Sequence, residues 1–541
     1  MFKNKYFKII TIVLAIMLFV VGCQTQNKDV TNQESEENIK DDKKILNIGI
    51  ASETDFMSQQ MTMDTKVFPV GKLVYETLIT FEEGEFIPVL AESWEFSNDG
   101  KDLTFKIRPD VKLHDSTELN AELVKANLEN KSLFEASHIL AAIANIESME
   151  VIDNLTLTIH YKSPNYSYLG DFCWPDVMTI VSQKQLIDKD APISSDVIGT
   201  GPYKYGEIVH GSYTRFVRNE DYWGEKPYYD EIIAKYIPDS QSRLKALKNG
   251  EIDLIYGSGL MDYDDYNSAI AIPGIEGKIA DADTRARDIT LNAGSEILSD
   301  INVRKAIAHA INKKEISEGI TGGIEGVADL PFTKDSLFVE ELKLESNYSY
   351  DLDEANKLLD EAGWKLNANS NIREKDGKQL TLKYTTYPMD ATNASITKLI
   401  KSQLDKVGID VKIVELEKMD WFNGYMMGDF DITTWLGQYA YANPNCWYNA
   451  MPMMTPQTYP LNIMDGGQDF LSKIAMTQSM DKDDELYPIF NELINYNLGE
   501  VLDIPLTYQK EIIVYRTDKI KDYKFFGITS FFDSFGVSPE E

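Results

Sequence analysis

His138, Cys173 and Cys446 are side chains suited to a soft transition metal, because imidazole and thiolate hold such ions better than oxygen donors do. Two small buried thiols and an unrelated histidine are the plainer alternative. A second group lies in the run from Trp435 to Trp447, which carries Trp435, Gln438, Tyr439, Tyr441 and Asn445. Aromatic rings with a polar handle give large contact area with few torsions to freeze. They suit gripping a flat or extended molecule, although core packing also uses them. Carboxylate pairs such as Asp264-Asp265 have the type needed for acid–base work, but in a chain with 87 acids they read as a solvated face. No G-x-x-x-x-G-K-S/T loop, H-E-x-x-H pair or G-x-S-x-G elbow is present, so no constellation for nucleotide hydrolysis, zinc proteolysis or acyl transfer stands out.

The elements that would position such residues need a large body. At 541 residues the chain is too long for one ordinary domain and predicts two to four lobes. Hydrophobic residues at 43% supply packed cores, and a net charge of −34 repels phosphate backbones, which argues against nucleic-acid binding. Three cysteines are too few for a disulfide scaffold.

Residues 1–22 read as an address. Lys3, Lys5 and Lys8 precede the 13-residue stretch Ile9 to Val21, apolar except for Thr11. As a helix it spans roughly 20 Å, short of the ~30 Å hydrocarbon core, so a signal peptide is expected rather than a transmembrane anchor. It ends in Val20-Val21-Gly22-Cys23, which resembles the bacterial lipobox; that resemblance implies lipidation of Cys23 as the mature N-terminus. Residues 23–44 are nearly free of large apolar side chains and read as a flexible tether. Loss of the leader removes three lysines and no acid, so the body is more acidic still.

From Ile45 the patterning is α/β. Leu103 to Ile107 alternates as a half-buried strand, and Val151 to Tyr161 does much the same. Asn120 caps a helix over Ala121 to Leu128. Val303, Ala306, Ile307, Ala310 and Ile311 behind Asp300 have helical spacing, and Asp351 with Glu354 opens another helix that Gly363 stops. Leu380 to Tyr384, Ile396 to Gly408 and Ile409 to Ile413 read as strand, helix, strand, a unit that predicts parallel pairing.

Several separated motifs carry a resemblance. Glu92-Ser93-Trp94 through His114-Asp115, Ile198-Gly199-Thr200-Gly201-Pro202-Tyr203, Val217 to Pro227 with Tyr222-Trp223, Gly250 to Asp253, Val303 to Asn312 and Ala362-Gly363-Trp364 stand in one order. Together they resemble the family 5 solute-binding proteins, the oligopeptide- and nickel-binding lipoproteins of ABC importers. Gly199 and Gly201 are expected to adopt backbone angles closed to other residues. The resemblance covers about residues 45 to 535. It implies a two-lobed periplasmic-binding-protein type II fold with mixed sheets and an extra inserted subdomain: lobe I over 45–284, lobe II over 285–504, and a return to lobe I over 505–541. Crossovers are expected near Ala282 to Arg287 and Asp503 to Leu506.

The site implied by the resemblance departs from both known flavours. Nickel-chelate binders place an Arg and a Trp near the positions here read Ala136 and Ile139, and an Arg where Trp174-Pro175-Asp176 stands. No cationic fork remains there, and Asp176 would repel carboxylates. Oligopeptide binders carry an ammonium-pairing Asp at the position of Ala440, leaving Asp176 or Asp64 to supply that charge from the facing lobe. The residues expected to touch ligand are Asp64, Phe68, His138, Trp174, Asp176, Phe422, Trp435, Gln438, Tyr439, Tyr441, Asn445 and Thr529. No cofactor is expected; a transition metal enters only as part of the cargo. The implied partners are a small ligand (peptide or metal chelate), an ABC permease and a separate ATPase, with the membrane reached through the lipid on Cys23. A non-enzymatic monomer at the outer face of the cytoplasmic membrane is the expectation. A sensor, or a secreted hydrolase, reusing the same fold is the alternative.

Overall fold

The computed structural model describes residues 43–53, 70–82, 84–133, 140–175, 177–186, 197–334, 336, 338–346, 348–387, 390–436, 460–526 and 531–540. Two large mixed sheets organise them. The first has seven strands in the order Ile275–Ile279, Ile512–Arg516, Leu254–Tyr256, Ile45–Ile50, Glu231–Tyr236, Tyr213–Arg218, Tyr203–Val209. Ile45–Ile50 runs parallel to both of its neighbours. The second has six strands in the order Gly326–Val327, Asp503–Gln509, Arg285–Leu291, Ile432–Leu436, Thr381–Thr386, Asp410–Glu415. Thr381–Thr386 is parallel to both Asp410–Glu415 and Ile432–Leu436. The expected α/β class with mixed sheets is therefore present, including the parallel strand–helix–strand unit around helix Ala391–Asp405.

Local chemistry explains these elements. Leu103, Phe105 and Ile107 are buried while Thr104 and Lys106 are not, so Asp102–Ile107 sits half-submerged in a four-stranded antiparallel sheet. Asn120 Oδ1 accepts from the Leu123 N–H at 2.9 Å and starts helix Ala121–Lys131. Asp351 Oδ1 accepts from the Asp353 and Glu354 N–H groups, both at 3.0 Å, at the head of helix Leu352–Glu361. Gly363, at φ +86°, provides the left-handed residue just past its end. The segment Val151 to Tyr161 is two strands rather than one, Ile146–Asp153 and Thr156–Tyr161. Asp153 turns the chain: its carboxylate accepts from the Leu155 N–H at 2.8 Å and the Thr156 hydroxyl at 3.0 Å.

The chain crosses from the seven-stranded to the six-stranded sheet between Ile279 and Arg285, and returns between Gln509 and Ile512. The second crossing does not fall near Asp503 to Leu506, where the resemblance placed it. Asp503–Gln509 is a fully buried strand of the six-stranded sheet, and Pro505 is tolerated because the register against Arg285–Leu291 shifts between Arg287 and Asp288. By sheet membership, the C-terminal segment rejoins the first sheet from Ile512, not from residue 505.

Separate cores follow the sheets. One joins the seven-stranded and four-stranded sheets through residues such as Ile48, Phe105, Tyr203 and Ile513. A second lies on the six-stranded sheet around Ile307, Leu359, Tyr384 and Ile400. A third gathers Phe332, Trp421, Phe470 and Phe490. Each fully buried aliphatic or Phe side chain contributes roughly 1.5–3 kcal/mol. These cores hold the sheet edges, and the loops that follow them, in place. Among the described residues no helix is long and apolar enough to cross a membrane.

Candidate functional site

In open α/β sheets, ligands collect outside the carboxyl ends of parallel strands. Here those ends are Ile50, Tyr236 and Tyr256 in the first sheet and Thr386, Glu415 and Leu436 in the second. Helix Tyr263–Ile270 begins soon after Tyr256, and helix Ala391–Asp405 is capped by Asp390 just after Thr386. The two sets of strand ends meet through side chains from these segments.

Arg287, on the first strand after the crossing, is the centre of that meeting. It is 1% exposed. Its Nε donates to both oxygens of Glu325 at 2.9 and 3.0 Å. Its Nη1 donates to Asp390 Oδ2 at 3.0 Å and Asn393 Oδ1 at 2.9 Å. Burial works against the guanidinium charge, but Asp390 and Glu325 outweigh it and raise the pKa. Glu325 also accepts from the Thr507 hydroxyl at 2.5 Å and from the Tyr263 phenol at 2.6 Å. Burial, then the Glu325 charge, pushes the Tyr263 phenol well above its usual range, so it stays a donor. Tyr263 therefore ties the helix behind the first sheet to the second sheet.

The return crossing is equally well bound. The Ser258 N–H donates to Glu511 Oε2 at 2.7 Å, and Gln509 Nε2 donates to Ser258 Oγ at 2.8 Å. Burial raises the Glu511 carboxyl, with the Ser258 N–H and the Arg285 charge opposing it. Lys510 Nζ reaches back to the first crossing, 3.3 Å from both the Ala280 carbonyl and Asp283 Oδ1. These are paired charges that fix geometry. Among the described residues, no group of three or more His, Cys, Asp or Glu is placed to hold a metal.

The signature motifs turn out to be structural. His114 Nε2 donates to the Gly201 carbonyl at 2.9 Å, while its Nδ1 accepts from the Gly199 N–H at 3.3 Å. That pairing fixes a neutral ring, and burial pulls its pKa down to about 4. Trp223 Nε1 and the Tyr222 hydroxyl donate to the two oxygens of Glu76 at 2.9 and 2.8 Å. Burial lifts the Glu76 carboxyl to about 7. The expected reason for Gly199 and Gly201 is corrected. Neither has a positive φ; a Cβ on Gly199 would lie 2.1 Å from the Val74 carbonyl oxygen, and one on Gly201 2.6 Å from the Val74 carbonyl carbon. Close backbone approach, not backbone angle, demands glycine there.

Of the residues expected at the ligand, Trp174 is 9% exposed and lies within the first core. Phe422 is half-buried against the third core. Trp435 stands on strand Ile432–Leu436, in register opposite Asp288. Cys173 is buried, with its Sγ 3.6 Å from the Leu169 carbonyl. Cys23, Asp64, Phe68, His138, Asp176, Gln438, Tyr439, Tyr441, Asn445, Cys446 and Thr529 lie outside the described residues. Arg287, Glu325, Asp390, Tyr263 and Glu511 were not anticipated from sequence. The one available signal was a charged Arg-Ala-Arg-Asp start to an otherwise apolar strand at the predicted crossing.

Comparison with known proteins agrees with this architecture. The nickel-binding periplasmic protein of Escherichia coli is 28% identical over 450 residues, 82% of this chain and 85% of that protein. The crystal structure of NikA from Brucella suis in complex with Fe(III)-EDTA superposes with a TM-score of 0.83 at 28% identity, covering 92% of this chain and all of the other. The oligopeptide-binding protein AppA of Bacillus subtilis, solved with a nonapeptide, has the same fold: TM-score 0.76 at 20% identity, covering 92% and 99% of the two chains. The fold is thus that of the type II periplasmic binding proteins. The family model for bacterial extracellular solute-binding proteins, family 5 middle, matches residues 85–456, and the chain belongs to that family.

Proposed function

We propose that this protein is the capture subunit of an ABC importer, binding a peptide or a metal chelate between two lobes and passing it unaltered to a membrane permease. The observation that carries this reading is the junction itself. Two sheets present the ends of their parallel strands to one region, joined by two short crossings and by the Tyr263–Glu325–Arg287 contacts. The sheets would act as the lobes, and the crossings as the hinge. A ligand touching both lobes favours the closed state by its differential affinity; moving an open:closed ratio from 1:99 to 99:1 takes about 5.5 kcal/mol. The relatives support both cargo classes, since one is named for nickel and others for peptides. The lipid on Cys23, followed by the tether of residues 24–44, would keep the body at the outer face of the cytoplasmic membrane.

Native mass spectrometry of the purified protein, followed by denaturation, tests the reading. An intact peptide, or a chelator with its metal, released on unfolding is the expected result. Recovery of cleaved products from a supplied peptide would replace transport with hydrolysis.

A further inference from the structure

A cavity of about 120 Å³ opens between the start of helix Lys313–Ile320, the side chains of Leu344, Ser346 and Tyr348, and the start of strand Asp503–Gln509. Its lining takes in Asp503, Ile504 and Pro505 of that strand and none of the junction residues Tyr263, Arg287, Glu325, Asp390 and Glu511, so it is distinct from the junction. Its volume suits several waters or one small organic molecule. Leu344, Leu498, Ile504 and Pro505 form an apolar wall.

Two kinds of charge share this small space. Lys313 Nζ donates to the Ala328 carbonyl at 3.1 Å, and no carboxylate among the described residues lies within ion-pair distance of it. Among the described residues, two of its three protons find no acceptor. Burial pulls its pKa down to about 8, with the Asp329 charge opposing. Two carboxylates line the same cavity. Asp503 is 2% exposed and accepts from the Thr290 hydroxyl at 2.8 Å; Asp329 is exposed at the rim. An inorganic anion entering here would meet Lys313 but also both carboxylates. A simple cation would meet the carboxylates but also Lys313. A molecule carrying both charges a short distance apart satisfies both, and a small apolar group on it would cover the wall.

We propose that this cavity is an accessory site for a short zwitterion of the α-amino-acid class, with Lys313 receiving the carboxylate and Asp329 the ammonium. The site does not depend on the identity of the transported cargo.

L-Alanine titrated into the purified protein, followed by saturation-transfer NMR and calorimetry, is the test. Acetate and methylammonium, each with one of the two charges, are the controls. Alanine should bind at least ~10-fold more tightly than either control. Lys313→Met and Asp329→Asn should each weaken it by ~10-fold, the order expected for losing one charged hydrogen-bond partner. Because Asp329 is exposed, its variant should fold even if Lys313→Met does not; circular dichroism and thermal melting check both. Tyr441→Ala, a change at the proposed cargo cleft, should leave alanine binding unchanged. No alanine signal with the unaltered protein, acetate binding as well as alanine, indifference to Asp329→Asn, or sensitivity to Tyr441→Ala alone would each overturn the proposal.

Discussion

The Tyr263 phenol donates to Glu325 Oε1 at 2.6 Å and also lies 3.2 Å from the Lys510 carbonyl. One side chain from the helix behind the seven-stranded sheet thereby touches both the six-stranded sheet's buried carboxylate and the return crossing. A hydrogen bond to a charged acceptor contributes about 1.5–3 kcal/mol. Tyr263→Phe keeps the ring's packing and removes only this bond. Glu325 retains Arg287 and Thr507, so the loss should fall at the low end of that range. Equilibrium urea unfolding will measure it. If Tyr263 also biases the closed state, the affinity for co-purified cargo will fall in the same variant, and a fall in stability alone would confine the bond to folding.

Arg287 should be far less tolerant. Its guanidinium neutralises Glu325 and Asp390 in a site closed to water. Arg287→Met strands both carboxylates, and breaking a buried pair costs about 3–5 kcal/mol. Arg287→Met combined with Glu325→Gln should recover part of that loss, because one of the stranded charges is then gone. A double-mutant cycle on unfolding free energies checks the coupling; strictly additive losses would show that the pair is not coupled.

The fold was legible wherever local rules sufficed. Asn120, Asp300 and Asp351 announced helix starts because a short side chain with an oxygen acceptor can reach only the next turn's N–H groups, and each does so here. The motif order carried the family. What could not be read was long-range pairing. Nothing near Glu325 in the sequence points to Arg287, Thr507 or Tyr263, which come from three other segments. The crossover that the resemblance put near Asp503 to Leu506 is instead a strand running on through Pro505, and only the register shift opposite Arg287 and Asp288 reveals how the ladder accommodates that proline. Gly199 and Gly201 were recognised as necessary for the wrong reason, since close approach to Val74 is a tertiary fact. Residue types in the Trp435 to Trp447 run, most of which lies outside the described residues, suggested gripping, while the charges that fix the junction were hidden by their ordinary appearance in so acidic a chain.

His114 should make the body acid-sensitive. Its folded pKa of about 4 lies below the ordinary histidine value of 6.5. Between those values the unfolded chain binds a proton that the folded chain refuses, so stability rises with pH across that window. The contribution is whole above 6.5 and is lost as pH falls toward 4. Protonation would set a second ring N–H against the Gly199 N–H. Melting temperatures measured from pH 4 to pH 7 should show this slope, and His114→Asn, which does not titrate, should flatten it while lowering the plateau. An unchanged slope in the variant would assign the acid sensitivity elsewhere.

Glu76 should act in the opposite direction. Its carboxyl rises from 4.5 to about 7 because burial penalises the charged form. Between those values the folded chain holds a proton that the unfolded chain has released, so this contribution is complete below 4.5 and declines as pH rises through 7. The donors from Trp223 and Tyr222 limit the decline without abolishing it. Glu76→Gln preserves shape and an acceptor oxygen but cannot ionise. Relative to the unaltered protein it should therefore gain stability from pH 5 to about pH 7 and level off above that. Unfolding free energies of the two proteins, compared across that range, isolate the effect, because the His114 contribution is common to both and cancels. A constant difference between them would mean that Glu76 is ionised in the folded state throughout, and that Tyr222, Trp223 and the nearby Arg108 charge outweigh its burial.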